Sequence, residues 1–451
     1  MLAAMPPTPA TTPDPGEARI RDRGDACPGA LRLHPAEDGR LARLRLPAGL
    51  LTAHQVTTLA TAAETLGDGR ISITSRGNAE LRGLADDCGA ALAALLADAG
   101  LLPSPTHERV RNIVASPTAG LDGLGYADVQ LWARGLDAAL CAEPRAASLS
   151  GRFLFVLDDG RGDVAPLGGD VSLVADEDGS VLLHLGPRVF RLAAADAVRA
   201  ALATALAFLD AAEAAGNGAW RPRELPDAHV PDWARALAAA GIAAEPVPVP
   251  APPLPVSRPP APGVLGADAL YVLAPLGRLT AAQLRDLLPA DEVRLTPWRG
   301  AVVVGPTGPA EAGPTGAAEA GPTRPAEAAR TGSAVDGPAD RLARLAAYGL
   351  ITRSDDPGAG VTVCTGRHGC AKSLADVRAD ARAVPAGPVP VHFSGCARGC
   401  GHPYGDWIEV LATGDDTYRV DGVPTPRASL PAAVGAARTP VDHTPPTPHT
   451  R

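Results

Sequence analysis

The chain reads as an internally duplicated α+β protein with pseudo-two-fold symmetry, and three observations carry that expectation. A helix-and-strand unit occurs twice, a Pro-rich segment separates the copies, and four of the seven cysteines crowd into residues 364–400. The length of 451 residues allows two or three domains with substantial cores.

The first copy contains GLLTAHQVTTLATAAE followed by RISITSRG, and the second contains GRLTAAQLRDLL followed by EVRLTPWRG. Each opens with a capping box, Thr52 with Gln55 and Thr280 with Gln283, in which hydroxyl and amide satisfy free N–H groups at a helix start. Each helix leads to a short alternating strand that ends in Thr and Arg, with Arg76 in one copy and Arg299 in the other. Downstream, LAALLADAGLL and RLARLAAYGLI read as helices stopped at Gly100 and Gly349, glycine being the residue that tolerates a left-handed cap. Each then leads to a β-like segment, VRNIVAS from 110 and VTVCTG from 361. Between the copies, LFVLDDG from 154 and VLLHLG from 181 read as strands, and AADAVRAALATALAFLDAAEAAG from 194 as a long helix with an apolar stripe. A ligand cleft is expected where the halves meet.

Other stretches look unable to pack. Residues 1–17 are Pro- and Thr-rich, as is the end of the chain, and an eight-residue repeat (GPTGPAEA, GPTGAAEA, GPTRPAEA) runs from 305. The run EPVPVPAPPLPVSRPPAP from 245 reads as a semi-rigid polyproline linker.

A net charge of −9 argues against general nucleic-acid affinity, which draws its energy from clustered Lys and Arg, so any anion site must be a local basic pocket. No apolar run is long enough for a signal peptide or a membrane span, and a cytoplasmic protein is expected. In a reducing compartment, clustered cysteines favour metal ligation over disulfides, whereas Cys27, Cys88 and Cys141 are scattered.

The cluster has the form Cys364-TGRHG-Cys370, a segment of helical period, then Cys396-ARG-Cys400. Zinc ribbons prefer two residues between paired cysteines, so spacings of five and three fit zinc poorly. Four thiolates on glycine-rich loops suit a [4Fe-4S] cluster, because small residues let backbone N–H groups approach the sulfides, and Gly366, Gly369, Gly395, Gly399 and Gly401 give that freedom. Structural zinc is the alternative occupant. In the intervening AKSLADVRADARA, Leu374 and Val377 share one face of an expected short helix whose N-terminus points at the cysteines. The histidines His368, His392 and His402 invite a metal-ligand reading, although a single histidine is more often structural. No 2-His-1-carboxylate set is defensible, and GLDGLG from 120 lacks the spacing and context of a dinucleotide loop.

These motifs resemble the sulfite/nitrite reductase superfamily, and within it the precorrin-3B synthase family of aerobic cobalamin biosynthesis. The likeness rests on DACPG from Asp25, TSRGNAELRG from Thr74, HERVRNIVASPTAG from His107, LTPWRG from Leu295, CTGRHGCAKS from Cys364 and HFSGCARGCGHP from His392. It covers nearly everything outside the termini and the repeat. The resemblance implies a sulfite/nitrite reductase-like fold with two ferredoxin-like half domains and two mixed α/β domains. On that basis the expected organisation is a tail over 1–17, a ferredoxin-like half over 18–104, an α+β domain over 105–243 and a linker over 244–263. A second ferredoxin-like half follows over 264–304, then the insert over 305–338, the cluster-bearing half over 339–435 and a tail over 436–451.

The resemblance also implies a [4Fe-4S] cluster on Cys364, Cys370, Cys396 and Cys400, an additional mononuclear iron of unassigned ligands, and a reaction in which dioxygen hydroxylates precorrin-3A and a γ-lactone closes. Electrons then come from a separate ferredoxin or NAD(P)H-linked reductase. In the reductases of the superfamily the last cysteine, here Cys400, bridges the cluster to sirohaem. A tetrapyrrole bears many carboxylates that need pairing once removed from water, and arginine pairs them through two hydrogen bonds. Arg76, Arg82, Arg111 and Arg299, beside strand ends, are the candidates, with Asn112 as a further donor and with Lys372 and Arg398 next to the cysteines.

There are departures. Where the reductases carry a Lys-x-Lys pair facing a small oxyanion, this chain has Arg152-Phe153-Leu154, one cation fewer, and Glu80 stands where the family suggests glutamine. The monooxygenase is therefore the expected activity, a sirohaem-dependent sulfite or nitrite reductase the runner-up, and a non-catalytic metal-binding redox module the third reading.

Overall fold

The computed structural model describes residue 25 and residues 28–248, 253–305 and 337–439. The expected tail over 1–17, Cys27, the centre of the Pro-rich linker, the body of the repeat insert and most of the C-terminal tail lie outside the described residues. Among the described residues no helix is long and apolar enough to cross a membrane.

The first half unit runs β1 (His34–Ala36), β2 (Gly39–Leu44), β3 (Leu50–Leu51), α1 (Ala53–Leu66), β4 (Arg70–Ile73), β5 (Ala79–Leu84) and α2 (Gly89–Asp98). A mixed domain follows: β6 (Ile113–Ala115), α3 (Val129–Ala142), β7 (Phe155–Asp158), β8 (Val171–Ala175), β9 (Ser180–Leu185), β10 (Arg188–Ala193), α4 (Ala197–Ala215), α5 (Trp233–Ala239) and β11 (Ala244–Pro246). The second half unit repeats the first as β12 (Gly263–Leu265), β13 (Ala269–Leu273), β14 (Arg278–Thr280), α6 (Ala281–Asp286), β15 (Glu292–Leu295), β16 (Gly300–Val304) and α7 (Pro338–Ala347). The last domain holds β17 (Val361–Val363), α8 (Val377–Asp380), β18 (Val391–Ser394), β19 (Ile408–Ala412), β20 (Thr417–Val420), β21 (Val423–Pro426) and α9 (Leu430–Ala437).

The half units exchange strands. One five-stranded sheet is ordered β1-β2-β5-β4-β14 and the other β12-β13-β16-β15-β3, so each unit supplies the edge strand of its partner's sheet. The exchange follows from local chemistry. Both edge strands emerge from tight turns at Pro47–Gly49 and Pro275–Gly277, where Ala48 (φ 54°) and Leu276 (φ 51°) take left-handed backbone, and both run directly into a capping box. Thr52 accepts from the Gln55 N–H at 3.2 Å and Thr280 from the Gln283 N–H at 3.1 Å. Each glutamine amide then donates to the carbonyl at the far end of a packed helix, Ala99 in one copy and Tyr348 in the other. A single apolar core spans the exchange, with Leu59, Ile71 and Leu81 from one unit and Leu284, Val293 and Leu345 from the other.

The two remaining sheets are also alike. The order β11-β10-β9-β8-β7-β6 has β6, β7 and β8 parallel and the rest antiparallel; the order β17-β18-β19-β20-β21 has β17, β18 and β19 parallel and the rest antiparallel. In both, the first parallel pair has the same register, Ile113 opposite Phe155 and Val361 opposite Val391. Parallel strands send their connecting loops out at the carboxyl ends, and there the cysteines of the last domain and the buried aspartates of the mixed domain lie.

One expected element differs. The segment after Cys370 is not a helix with Leu374 and Val377 on one face: α8 begins only at Val377, one turn long, because the Asp376 carboxylate caps it by accepting from the Ala379 N–H at 3.1 Å. Leu374 is 41% exposed while Val377 is fully buried, and the Leu374 N–H is tied to the Gly395 carbonyl instead. A single turn presents no cumulative dipole to the cysteines.

Candidate iron–sulfur centre and its basic cleft

The loop after β17 carries Cys364 and Cys370, the loop after β18 carries Cys396 and Cys400, and the parallel pairing of these strands sets the loops side by side. The Cys364 N–H donates to the Phe393 carbonyl at 3.0 Å, and the Gly395 N–H donates to Cys364 Sγ at 3.2 Å. Gly366, Gly399 and Gly401 adopt left-handed backbone (φ 75°, 57° and 81°), which an L side chain rarely adopts.

The four sulfurs sense one another. Burial raises the Cys364 thiol pKa, the Gly395 and Gly366 N–H groups lower it, and Cys370 and Cys396 raise it again. Burial, then Cys364, Cys396 and Cys370, raise that of Cys400, with Arg398 opposing. Four thiols on two adjoining glycine-rich loops, with the Gly395 and Gly366 N–H groups reaching the Cys364 sulfur, are a donor set that an iron–sulfur cluster fits.

Facing the cysteines is one side of the first half unit's sheet. Because side chains alternate along a strand, Ala79 and Leu81 of β5 enter the core while Glu80 and Arg82 point the other way, and all four are buried. Register extends the polar row: Arg43 lies opposite Glu80, Glu80 opposite Ser72, and Ser72 opposite Arg278. Glu80 accepts from Arg43 at 2.8 Å and from Arg82 at 3.1 Å. Its pKa is lowered: Arg43 and Arg82 outweigh the upward push of burial, which is the largest single influence. Arg82 also pairs with Asp38 through two 2.8 Å bonds and donates to the Gly369 carbonyl at 2.6 Å, which joins the sheet to the first cysteine loop. Arg278 pairs with Asp68 at 2.7 Å. Arg299, 8% exposed, donates to the Gly401 carbonyl, and burial pulls its pKa down to about 10, with Cys364 opposing.

Of the residues singled out from sequence, Arg82 and Arg299 therefore reach the cysteine loops, and Lys372 and Arg398 lie exposed on them. Arg76 is half-buried in the turn between β4 and β5. Arg111 is committed elsewhere: its guanidinium holds Asp137 of α3 at 2.6 and 2.7 Å. The Asn112 amide donates to the Phe153 carbonyl at 2.9 Å, and Arg152 lies over the Trp220 ring at 5.2 Å. Three further arginines on or beside this polar row, Arg43, Arg278 and Arg378, escaped the sequence reading. The alternation in GRLARL and GRLT carried a signal for the first two, since each arginine interrupts an apolar row; nothing local marks Arg378.

The match of Arg76 with Arg299 shifts by one position. The Thr74 N–H donates to the Asn78 carbonyl and the Thr296 N–H to that of Gly300, so Arg299 (φ 60°) stands where the first unit has Gly77 (φ 69°), and Trp298 stands where it has Arg76.

His392 is held at Nδ1 by Thr362 Oγ1 at 2.8 Å, edge-on to Trp407, on which His402 stacks with ring centroids 5.3 Å apart. Burial, then the Arg299 and His402 charges, pull the His392 pKa down to about 3, so its ring is neutral.

The mixed domain repeats the cysteine site in another chemistry. Ser116 follows β6 as Cys364 follows β17, and the Asp159 N–H donates to Ser116 Oγ at 3.2 Å just as Gly395 donates to Cys364. Instead of thiols, the loops carry Asp158, Asp159 and Asp163, buried together. Asp158 accepts four backbone N–H bonds, Arg161 pairs with Asp159 and Asp122, and Asp163 accepts from Ser116 at 2.6 Å.

With this geometry in view, residues 34–99 match the family model for the nitrite/sulfite reductase ferredoxin-like half domain. The chain is 29% identical over 413 residues to a precorrin-3B synthase from a Sinorhizobium species, covering 87% of this chain and 81% of that protein. It is 26% identical over 417 residues to a ferredoxin–nitrite reductase from Synechococcus elongatus, covering 82% and 75%. Among solved structures, the Mycobacterium tuberculosis NirA protein superposes with a TM-score of 0.62 at 17% identity, covering 87% of this chain and 79% of that one. Duplicated half units with exchanged strands, a matching half-domain model and relatives along most of the chain agree in one likeness: the protein is similar, over most of its length, to the nitrite/sulfite reductase superfamily.

Proposed function

We propose that the protein is a precorrin-3B synthase-like monooxygenase that binds precorrin-3A in the arginine-lined cleft, hydroxylates the ring with dioxygen and closes a γ-lactone. The observation that carries this reading is the placement of four mutually interacting cysteines opposite a row of arginines on the first sheet. Cys364, Cys370, Cys396 and Cys400 would hold a [4Fe-4S] cluster, which transfers electrons singly. The remaining chemistry falls to the chain. Arg299, with Arg76 and the exposed Lys372 and Arg398, pairs the acetate and propionate arms and so fixes the macrocycle over the cysteine loops, while Arg82, held by Asp38 and Glu80, ties the sheet to the first of those loops. Glu80, ionised between Arg43 and Arg82, holds those guanidiniums in place as a bidentate spacer. An additional mononuclear iron is part of the proposal only as the family's implication, and electrons come from a separate ferredoxin or reductase.

Support over the reductase reading comes from the relative that matches the larger share of both chains. It also comes from Arg152, laid over Trp220, and from Leu154, buried in apolar surroundings, where a small-oxyanion site needs two cations. The nitrite reductase relative and the NirA-like fold favour the alternative, a sirohaem-dependent nitrite or sulfite reductase. Anaerobically purified protein is incubated with precorrin-3A, dioxygen and a reductant, and separately with nitrite or sulfite and reduced ferredoxin. Formation of the hydroxylactone supports the proposal. Absence of that product, together with sirohaem absorption bands and turnover of the oxyanion, overturns it in favour of the reductase.

A further inference from the structure

Two guanidiniums beside the cysteine loops, the buried Arg299 and the half-buried Arg378, lack the partners such groups need. Arginine is charged at any physiological pH, so a buried one requires an anion or several carbonyls. Elsewhere the requirement is met: Arg82 has Asp38 and Glu80, Arg161 has Asp122 and Asp159, Arg221 has Asp170, and Arg438 has four backbone carbonyls. Among the described residues, Arg299 meets one carbonyl, that of Gly401, and Arg378 meets one, that of Leu276 at 3.3 Å. The Nε of Arg378 is buried without any hydrogen-bond partner.

Like charges surround Arg378. Burial pulls its pKa down to about 9, and Arg278, Arg299 and Arg82 push the same way, while the Cys364 thiol offsets them. The side chain lies under the first cysteine loop, its Cγ 3.9 Å from where a Cβ on Gly366 would stand. In the mixed domain the loop after β7, counterpart of the second cysteine loop, carries Arg161, which is paired with Asp159 and Asp122 of the chain itself. Arg378 meets no such carboxylate among the described residues.

We infer that Arg378 is the fixed counter-charge of the metal–sulfur centre held by Cys364, Cys370, Cys396 and Cys400, and that it raises the reduction potential of that centre. This rests on the proposed iron–sulfur reading of the four cysteines. Arg378 acts as a positioning residue through charge. One-electron reduction, with the electron supplied by dithionite, adds one negative charge to the cluster and neither makes nor breaks a bond. A positive group fixed nearby favours the reduced form.

The test compares the wild-type chain with Arg378→Gln, Arg378→Lys and the remote surface variant Arg353→Gln. Each is purified anaerobically, assayed for iron and acid-labile sulfide, and titrated with dithionite while the EPR signal of the reduced cluster is followed. The inference predicts full cluster content in all four, a potential shifted to more negative values in R378Q, and wild-type potentials in R378K and R353Q. An R378Q potential equal to wild type overturns it, as does an R378K potential shifted as far as that of R378Q. Should R378Q lose its cluster, R378K decides: retention at the wild-type potential supports the charge role, and loss in both overturns it by marking a packing role. A wild-type chain without iron and sulfide removes the cysteine reading itself, a result distinct from any of these.

Discussion

Arg299 lies in a slot that only glycine leaves open. Gly277 (φ 72°) and Gly401 (φ 81°) both lack the Cβ that would run into its side chain, the first at Cδ and the second at Nη2. Gly401→Ala combines this clash with left-handed backbone and is expected to cost roughly 1–3 kcal/mol, read as a lower denaturant midpoint with an unchanged slope. Asp163 gives the pH dependence at this scale. Burial raises its pKa to about 7, Asp158 and Asp159 push the same way, and the Ser116 hydroxyl opposes. A carboxyl whose folded pKa is raised stabilises the fold fully below its unfolded value and loses that contribution as pH rises through about 7. Asp163→Asn keeps an acceptor for Ser116 and cannot ionise. Its melting temperature is expected to fall less than that of the wild type between pH 5 and pH 8, and to be the higher of the two at pH 8. Parallel melting curves for the two proteins would contradict this assignment.

At the scale of elements, the two capping boxes carry equivalent loads. Thr52→Ala and Thr280→Ala are each expected to cost about 1 kcal/mol, measured by equilibrium unfolding, and to add when combined because the sites share no partner. These boxes were legible in the sequence because a cap is a local device of four residues. The cysteine loops were legible because their spacing and glycines are local too. The one-position shift between Arg76 and Arg299 was not, since a non-glycine in left-handed backbone at Arg299 disguises its equivalence with Gly77. Nor was the shortened helix after Cys370: an apolar spacing predicted a face, whereas the Asp376 cap and the Leu374 tie to Gly395 decide where the turn begins. Arg111 looked free because its partner Asp137 lies on α3, a contact that no local pattern encodes.

At the scale of the molecule, the exchange of β3 and β14 makes each half unit incomplete without the other. Duplication was visible in the sequence as repeated motifs; exchange was not, because it depends on which sheet an edge strand joins after the turns at Ala48 and Leu276. A protease site inserted into the Pro-rich linker between Val249 and Pro252, once cut, is expected to leave two fragments that co-elute as one species under native conditions and separate in denaturant. Independent elution under native conditions would show that the shared core is not what joins them. The duplicated frame also puts different side chains on equivalent loops: buried carboxylates in the mixed domain, Asp159 among them paired with Arg161, and four cysteines in the last domain. Iron, acid-labile sulfide and zinc content of the anaerobically isolated chain tests this account most directly. The account predicts about four irons and four sulfides per chain, lost when Cys364 and Cys396 are changed to serine. A chain that holds one zinc, or stays iron-free after reconstitution, would contradict it.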